Sequence, residues 1–246
     1  MSPGSVFSRQ GFALQRPATD LVAWRFLRTA TRTLAARRLD LTVEGQEHVP
    51  TSGPVLIAAR HYHHLYDGVA LVSTLDRPVH IVVGLDWVQS PLGQRVMNLA
   101  CGAARWPVVH RPDALDRVDV AERVASAREM TRLLRRATND TADLLRAGRA
   151  VIVFPEGYPN IDPGFTPKRG DEFLPFQPGA IRLARVAQAS GAGVVPILPA
   201  GFQYNQTAPG RWRVVLRFGP PLLLADRVHD GEARQKLERA VTRLSA

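Results

Sequence analysis

Val151-Ile152-Val153-Phe154-Pro155-Glu156-Gly157 is the stretch whose reading decides the fold. Four apolar residues, three of them β-branched, run uninterrupted into Pro-Glu-Gly, the pattern of a buried strand that stops at a turn. That turn delivers one carboxylate, Glu156, to the strand's carboxyl end, and Gly157 permits close backbone approach to a ligand. Working outward, similar β-like runs fall at 41–43, 55–59, 80–83, 104–109, 194–198 and 213–218. Helical spacing fills most of the gaps, at 66–75, 91–101, 117–147, 178–190 and 230–244, with Asn139-Asp140 a candidate break in the third. This alternation predicts an α/β fold: a single domain with a mixed, mostly parallel sheet of about seven strands flanked by helices. Functional groups in such folds gather at loops following the strands' carboxyl ends.

The densest polar cluster lies after the run at 55–59: Ala58-Ala59-Arg60-His61-Tyr62-His63-His64-Leu65-Tyr66-Asp67-Gly68. Three of the seven histidines sit here, with a carboxylate close behind. Three readings fit the residues alone. They are hydrogen-bonded structural histidines, a metal site drawing on His61, His63 and Asp67, or a histidine base oriented by a carboxylate that also stabilises the imidazolium.

Composition narrows the class. The 45% hydrophobic and 22% charged content suits a globular chain with a core and argues against disorder. The net charge of +10 is carried almost wholly by arginine, Lys168 and Lys236 being the lysines. Such a balance favours polyanionic partners, either nucleic acid or anionic lipid. No nucleic-acid recognition motif accompanies it, so no nucleic-acid partner is expected. Cys101 is the sole cysteine, which excludes an internal disulfide, suits a reducing compartment and reads as a core residue. No secretory signal is expected, and no apolar run approaches the ~18 residues of a spanning helix. Near the N-terminus, a helix capped by Asp20 would place Trp24, Leu27 and Leu34 on one face and Arg25, Arg28 and Arg32 on a neighbouring one. That suits either a lipid interface or a helix packed on its own domain with a solvated basic face.

Taken in order, several phrases between about 42 and 220 resemble the glycerolipid acyltransferase family, the 1-acylglycerol-3-phosphate (lysophospholipid) acyltransferase type. Gly45-Gln46-Glu47 with Pro50 matches its opening Gly–x–Glu phrase, and the His61–Asp67 region matches its His–x4–Asp. Gly102 through Arg111 loosely matches a strand ending in arginine, and Phe154-Pro155-Glu156-Gly157 matches without change. Phe176-Gln177-Pro178-Gly179 and Val194-Val195-Pro196-Ile197 follow as the family's helix start and Val–x–Pro strand. Three positions depart. Tyr62 occupies the His–x4–Asp register; the step from Gly102 to Arg111 is long; and the family's Thr-Arg-Ser is replaced by Tyr158-Pro159-Asn160.

The resemblance implies acyl transfer from acyl-CoA or acyl-carrier protein to the hydroxyl of a lysophospholipid-type acceptor, in phospholipid biosynthesis, with no metal and no bound cofactor. Strand register aligns His61 with the family histidine, making it the expected base, oriented by Asp67. His63, four residues before Asp67, is the alternative base. Arg111 would grip a phosphate, Glu156 and Gly157 would shape the acceptor pocket, and Lys168 or Arg169 would replace the missing headgroup arginine. The expected division is a basic amphipathic segment at 1–39, suited to a membrane surface, and an acyltransferase domain at 40–246. The expected location is cytoplasmic, peripheral on the inner face of the cell membrane, with an anionic membrane surface as partner. Leu85, Trp87, Val88, Leu92 and Leu99 are candidates for an acyl tunnel or for ordinary core. A diverged, non-catalytic lipid-binding protein on the same fold is the alternative, and a metal-dependent hydrolase a third reading.

Overall fold

The computed structural model describes residues 17–85, 88, 90–109, 120–225 and 228–246. Along the chain, α1 (Pro17–Arg38) leads into β1 (Leu39–Glu44), then β2 (Val55–Ala59), α2 (Tyr66–Thr74), β3 (Val79–Ile81) and β4 (Val83–Gly84). Next come α3 (Pro91–Ala104), β5 (Val108–Val109), α4 (Val120–Arg146) and β6 (Ala150–Val153). The chain continues through α5 (Gly179–Ala187), β7 (Ile197–Ala208), β8 (Arg211–Phe218) and α6 (Asp230–Leu244).

β2 and β6 are continuously apolar because both of their faces are covered. Val55, Ile57 and Ala59 of β2 and Ala150 and Ile152 of β6 enter one core layer, with Val69 to Val72 and Leu75 from the α2 region and Trp24 and Ala35 of α1. The alternate residues, Leu56, Ala58, Val151 and Val153, enter a second layer beneath α4, α5 and α6, built on Leu145, Ile181, Ala184, Leu237 and Val241. The strands order as β1-β8-β7-β2-β6-β3, with β2 parallel to β6 and β7, β3 parallel to β6, and β1 parallel to β8. Among the described strands, β7 and β8 are the pair that runs antiparallel, as a hairpin. A separate two-stranded sheet joins β4 to β5. The fold is therefore the expected mixed, mostly parallel α/β sheet, with six strands in the main sheet and two in a small one among the described residues.

Several boundaries differ from the sequence reading. The run at 104–109 is mostly not strand: α3 extends to Ala104, Arg105 turns left-handed (φ 53°) to end it, and only Val108–Val109 pair. β7 begins at Ile197 and runs on to Ala208, because pairing with β8 carries it beyond the buried sheet into polar, exposed residues such as Gln203 and Asn205. α4 passes through Asn139 and Asp140 without a break; both are exposed, so neither competes with buried packing. Asp20 lies inside α1 and does not cap it. Cys101 is buried against Leu85 and Val88, as a core residue should be. Trp87 lies outside the described residues.

α1 lays Trp24, Leu27 and Leu34 on the first core layer. Of its arginines, Arg28 pairs with Asp76, and Arg32 Nε donates to the carbonyl of Ser73 (3.2 Å). Two of the three basic side chains therefore fasten the helix to the end of α2. Arg25 stays exposed, with Leu21, Val22 and Phe26.

Gly45 shows why the opening Gly–x–Glu phrase needs its glycine. It follows β1 at φ 71°, and a Cβ there would lie 2.0 Å from the carbonyl oxygen of Phe218 at the end of β8. Left-handed strain and a backbone clash combine, so Gly45→Ala is expected to cost roughly 3 kcal/mol. Urea unfolding measures it. A loss below ~1 kcal/mol would mean that the β1–β8 contact relaxes around the methyl group.

Candidate functional site

β2 and β6 are parallel neighbours, so their carboxyl ends release Arg60-His61 and Phe154-Pro155-Glu156 side by side. Asp67 enters from the first turn of α2. Its carboxylate is fully buried and four donors converge on it. Oδ2 takes the backbone N–H groups of Tyr62 (2.7 Å) and His63 (3.0 Å) and lies 2.9 Å from His61 Nδ1. Oδ1 accepts from the hydroxyl of Tyr204 (2.7 Å). The turn between strand and helix thus folds around the carboxylate, and this accommodates the extra residue between His61 and Asp67. The His61 side chain keeps 15% exposure and stacks on Phe154, ring centroids 4.2 Å apart.

His63 is arranged differently. α2 begins only at Tyr66, so a four-residue step to Asp67 does not put the two side chains on one helical face. Its ring turns toward Tyr66 (centroids 4.2 Å) and Trp212 (5.9 Å). Nδ1 instead accepts the backbone N–H groups of Leu65 (3.3 Å) and Tyr66 (3.4 Å) at the start of α2. Burial pushes its imidazole down to about 4, the charge of His64 adding to the effect and Asp67 opposing it. His61, His63 and Asp67 therefore do not converge as a ligand set. Among the described residues, no group of three His, Cys, Asp or Glu is placed to hold a metal ion.

Glu156 is buried and points back at the histidine turn: Oε1 accepts the His61 N–H (2.9 Å) and Oε2 the Leu174 N–H (3.0 Å). Gly157 sits at φ 79° in a turn closed by its N–H on the Phe154 carbonyl (3.0 Å), and its Cα faces open space. Lys168 is drawn inside, its Nζ 2.6 Å from Glu156 Oε2, with both side chains fully buried. The same ammonium donates to the His61 carbonyl (2.8 Å) and Asn160 Oδ1 (3.1 Å), so all three N–H groups are engaged. Arg169 is exposed, with its backbone N–H on Glu172 (3.0 Å). Arg111 lies outside the described residues.

Sequence reasoning did not single out Tyr204, Asn160 or the Phe154 ring as parts of this cluster. Tyr204 is presented by β7, 137 residues from Asp67, and stacks on Tyr62 (4.6 Å). Burial and the Asp67 charge raise its phenol well above the usual range, which keeps it a donor. Burial, with Asp171 as hydrogen-bond partner, likewise pushes Tyr62 up to about 12.

The His63 environment makes stability depend on pH. The unfolded imidazole titrates near ~6.5 and the folded one at about 4, so on acidification the unfolded chain binds the proton first. The contribution is intact above ~6.5 and is lost as pH falls toward 4, at most about 3 kcal/mol. His63→Asn, which keeps an acceptor without titrating, should flatten the denaturation midpoint across that window. An unaltered slope would show that another group carries it.

A family model described as Acyltransferase matches residues 40–203. Among curated proteins, none matches the chain. Among solved structures, the chain is similar to the 1-acyl-sn-glycerophosphate (LPA) acyltransferase PlsC from Thermotoga maritima. The two are 18% identical over 94% of this chain and 82% of that one, with a TM-score of 0.58, a likeness that shows the shared fold. The family match takes in both strand ends that build the site, the His61–Asp67 turn and Phe154 to Gly157, and it places this chain in the acyltransferase family.

Proposed function

We propose that the protein transfers a fatty acyl group from a thioester, acyl-CoA or acyl-carrier protein, to the hydroxyl of a lysophospholipid-type acceptor in phospholipid biosynthesis. The observation that carries this reading is the His61–Asp67 pair: a buried, four-fold hydrogen-bonded carboxylate against Nδ1 of a partly open imidazole. Asp67 already accepts two backbone N–H groups and a phenol, so it acts as an acceptor toward Nδ1–H. That tautomer leaves the lone pair of His61 on Nε2.

In the proposed step, Nε2 takes the acceptor's hydroxyl proton as its oxygen attacks the thioester carbonyl. The carbon–sulfur bond breaks, the imidazolium returns the proton to the departing sulfur, and an ester and a free thiol result. Asp67 stabilises the transient imidazolium. Base assistance of this kind contributes a factor of about 10² to 10⁴. The open space beside Gly157 takes part of the acceptor, and Arg111 and Arg169 are the proposed phosphate contacts. Lys168, with its three N–H groups already engaged, has no donor left for a headgroup.

A membrane-resident acceptor calls for a docking surface. No helix among the described residues is long and apolar enough to cross a membrane. α1 and α3 lie in contact, and both turn large apolar side chains outward: Leu21, Val22 and Phe26 from one, Leu92, Val96 and Leu99 from the other. Such faces, with Arg25 among them, suit a helix pair resting in an anionic lipid interface.

Two experiments test these readings. Acceptor-dependent thiol release should fall about 10² to 10⁴-fold in His61→Ala and comparably in Asp67→Ala, while His63→Asn stays within about three-fold of wild type. Tyr204→Phe, which takes one donor from Asp67, should lower kcat about ten-fold. Full activity in His61→Ala would sink the base assignment, and vesicle binding without turnover on either donor would favour a lipid-binding role. Separately, Phe26→Ser combined with Leu99→Ser should weaken partition onto phosphatidylglycerol vesicles about ten-fold or more. Unchanged partition would remove this face from the docking surface.

A further inference from the structure

β2 ends at Ala59, and the Arg60 N–H, bonded to the Ala200 carbonyl (3.0 Å), makes the last hydrogen bond across to β7. The next residue, His61, has left the sheet, so its peptide groups have no strand neighbour to satisfy them. Buried backbone groups must nevertheless be paired. Here they are paired by one ion pair: Glu156 Oε1 accepts the His61 N–H (2.9 Å) and Lys168 Nζ donates a hydrogen bond to the His61 carbonyl (2.8 Å). The two side chains close on each other at 2.6 Å with no exposure. Asn160 Oδ1 occupies the third ammonium proton, and its Nδ2 holds the carbonyls of Gly170 (2.7 Å) and Glu172 (3.0 Å), which fixes the loop that carries Lys168.

A buried ion pair is a poor way to gain stability, because desolvation of both charges offsets most of their attraction. Burial indeed pushes the Lys168 ammonium down from its ordinary value, against the pull of Glu156. What the pair provides, and an apolar pair of equal volume would not, is a donor and an acceptor on the two sides of one residue. With both peptide groups of His61 held, its Cα–Cβ direction is set, and with it the line from Asp67 through Nδ1 to Nε2.

We infer that Lys168 is a positioning residue for His61: it holds the His61 carbonyl directly and the His61 N–H through Glu156, in place of the ladder bonds that end with β2. The assignment rests on the reading of His61 as the base. It differs from a headgroup-binding role, in which the ammonium would need a free N–H and an open path to the acceptor.

The test uses the whole enzyme, assayed well below its unfolding midpoint with long-chain acyl-CoA. The acceptors are lysophosphatidate and the uncharged monoacylglycerol of the same chain. Lys168→Met should lower kcat about 100-fold on both, as misplacement of a base by about an ångström does, and should leave both KM values within about three-fold. Val241→Ala, a distant core variant, serves as a control for lost stability and should leave kcat unchanged. Hydrogen exchange at the His61 amide should quicken at least ten-fold in Lys168→Met and not in the control. If Lys168→Met does not fold, Lys168→Met with Glu156→Gln removes both charges together and should fold with the same loss of kcat. A rise in KM for lysophosphatidate alone would make Lys168 a headgroup ligand and overturn the inference, as would an unchanged kcat. Faster His61 exchange with no turnover in wild type, or with full turnover in His61→Ala, would sink the base reading and leave the placement of His61 by Lys168 standing.

Discussion

A carboxylate without solvent must be supplied with hydrogen bonds by the protein itself, and the supply to Asp67 organises this end of the molecule. Its donors come from three directions: the backbone of the turn after β2, the His61 ring on that turn, and a phenol from β7. Asp67 itself stands in the first turn of α2, where a negative charge meets the helix's positive end. One buried group therefore couples a central strand, the helix that covers it and a strand on its other flank. Taking away any one donor leaves the others sharing a charge in a low-dielectric setting, where unmet demand is costly.

A second carboxylate, Glu156, performs a different task a few ångströms away. Asp67 addresses the His61 ring, whereas Glu156 addresses its backbone. The division follows from the parallel sheet. β2 and β6 stop at nearly the same level, so just past the strand ends the chain loses its ladder partners where a side chain must be aimed. Proline at 155 and a left-handed glycine at 157 turn the β6 end so that Glu156 faces inward across the gap, in the place where a further strand residue would have been. A site built this way inherits the rigidity of the sheet core beneath it, where Leu56, Ile57 and Ile152 have no solvent contact.

Much of this was legible in the sequence for one reason: central parallel strands are buried on both faces and read as unbroken apolar runs. β2 and β6 stand where the runs at 55–59 and 151–154 put them, and the polar phrases after them mark the strand ends. The hairpin was harder. Beyond Phe202, β7 is polar and, Tyr204 apart, exposed because it is held mainly by β8, so hydrophobic patterning cannot mark its length. The run at 104–109 misled for the opposite reason: its first residue, Ala104, is as compatible with the end of α3 as with a strand, and the left-handed turn falls on an arginine, which carries no turn signal. Within the site, spacing alone left His61 and His63 open. The backbone folding around Asp67 separates them, and folding around a buried charge is a tertiary event with no local pattern. Asn160 and Tyr204 escape for the same reason, as does the inward turn of Lys168.

The arginine excess has a structural side that composition alone conceals. Arg77 spans the carbonyls of Pro50, Gly53 and Gly148, Arg185 those of Ala225 and Val228, and Arg60 those of Phe202 and Asp171. In each case a planar fork with several donors gathers two or more carbonyls, which a lysine's single ammonium cannot span as well. A carbonyl satisfies the donor without cancelling the charge. Arg185 is also paired with Asp230, but arginines held by carbonyls alone, as Arg77 is, fasten the chain and still add to the positive field behind the net charge of +10. On the proposed docking to a lipid surface, specificity would rest on the outward apolar faces of α1 and α3, with the diffuse charge supplying attraction and the side chains of Phe26, Leu92 and Leu99 deciding where contact is made.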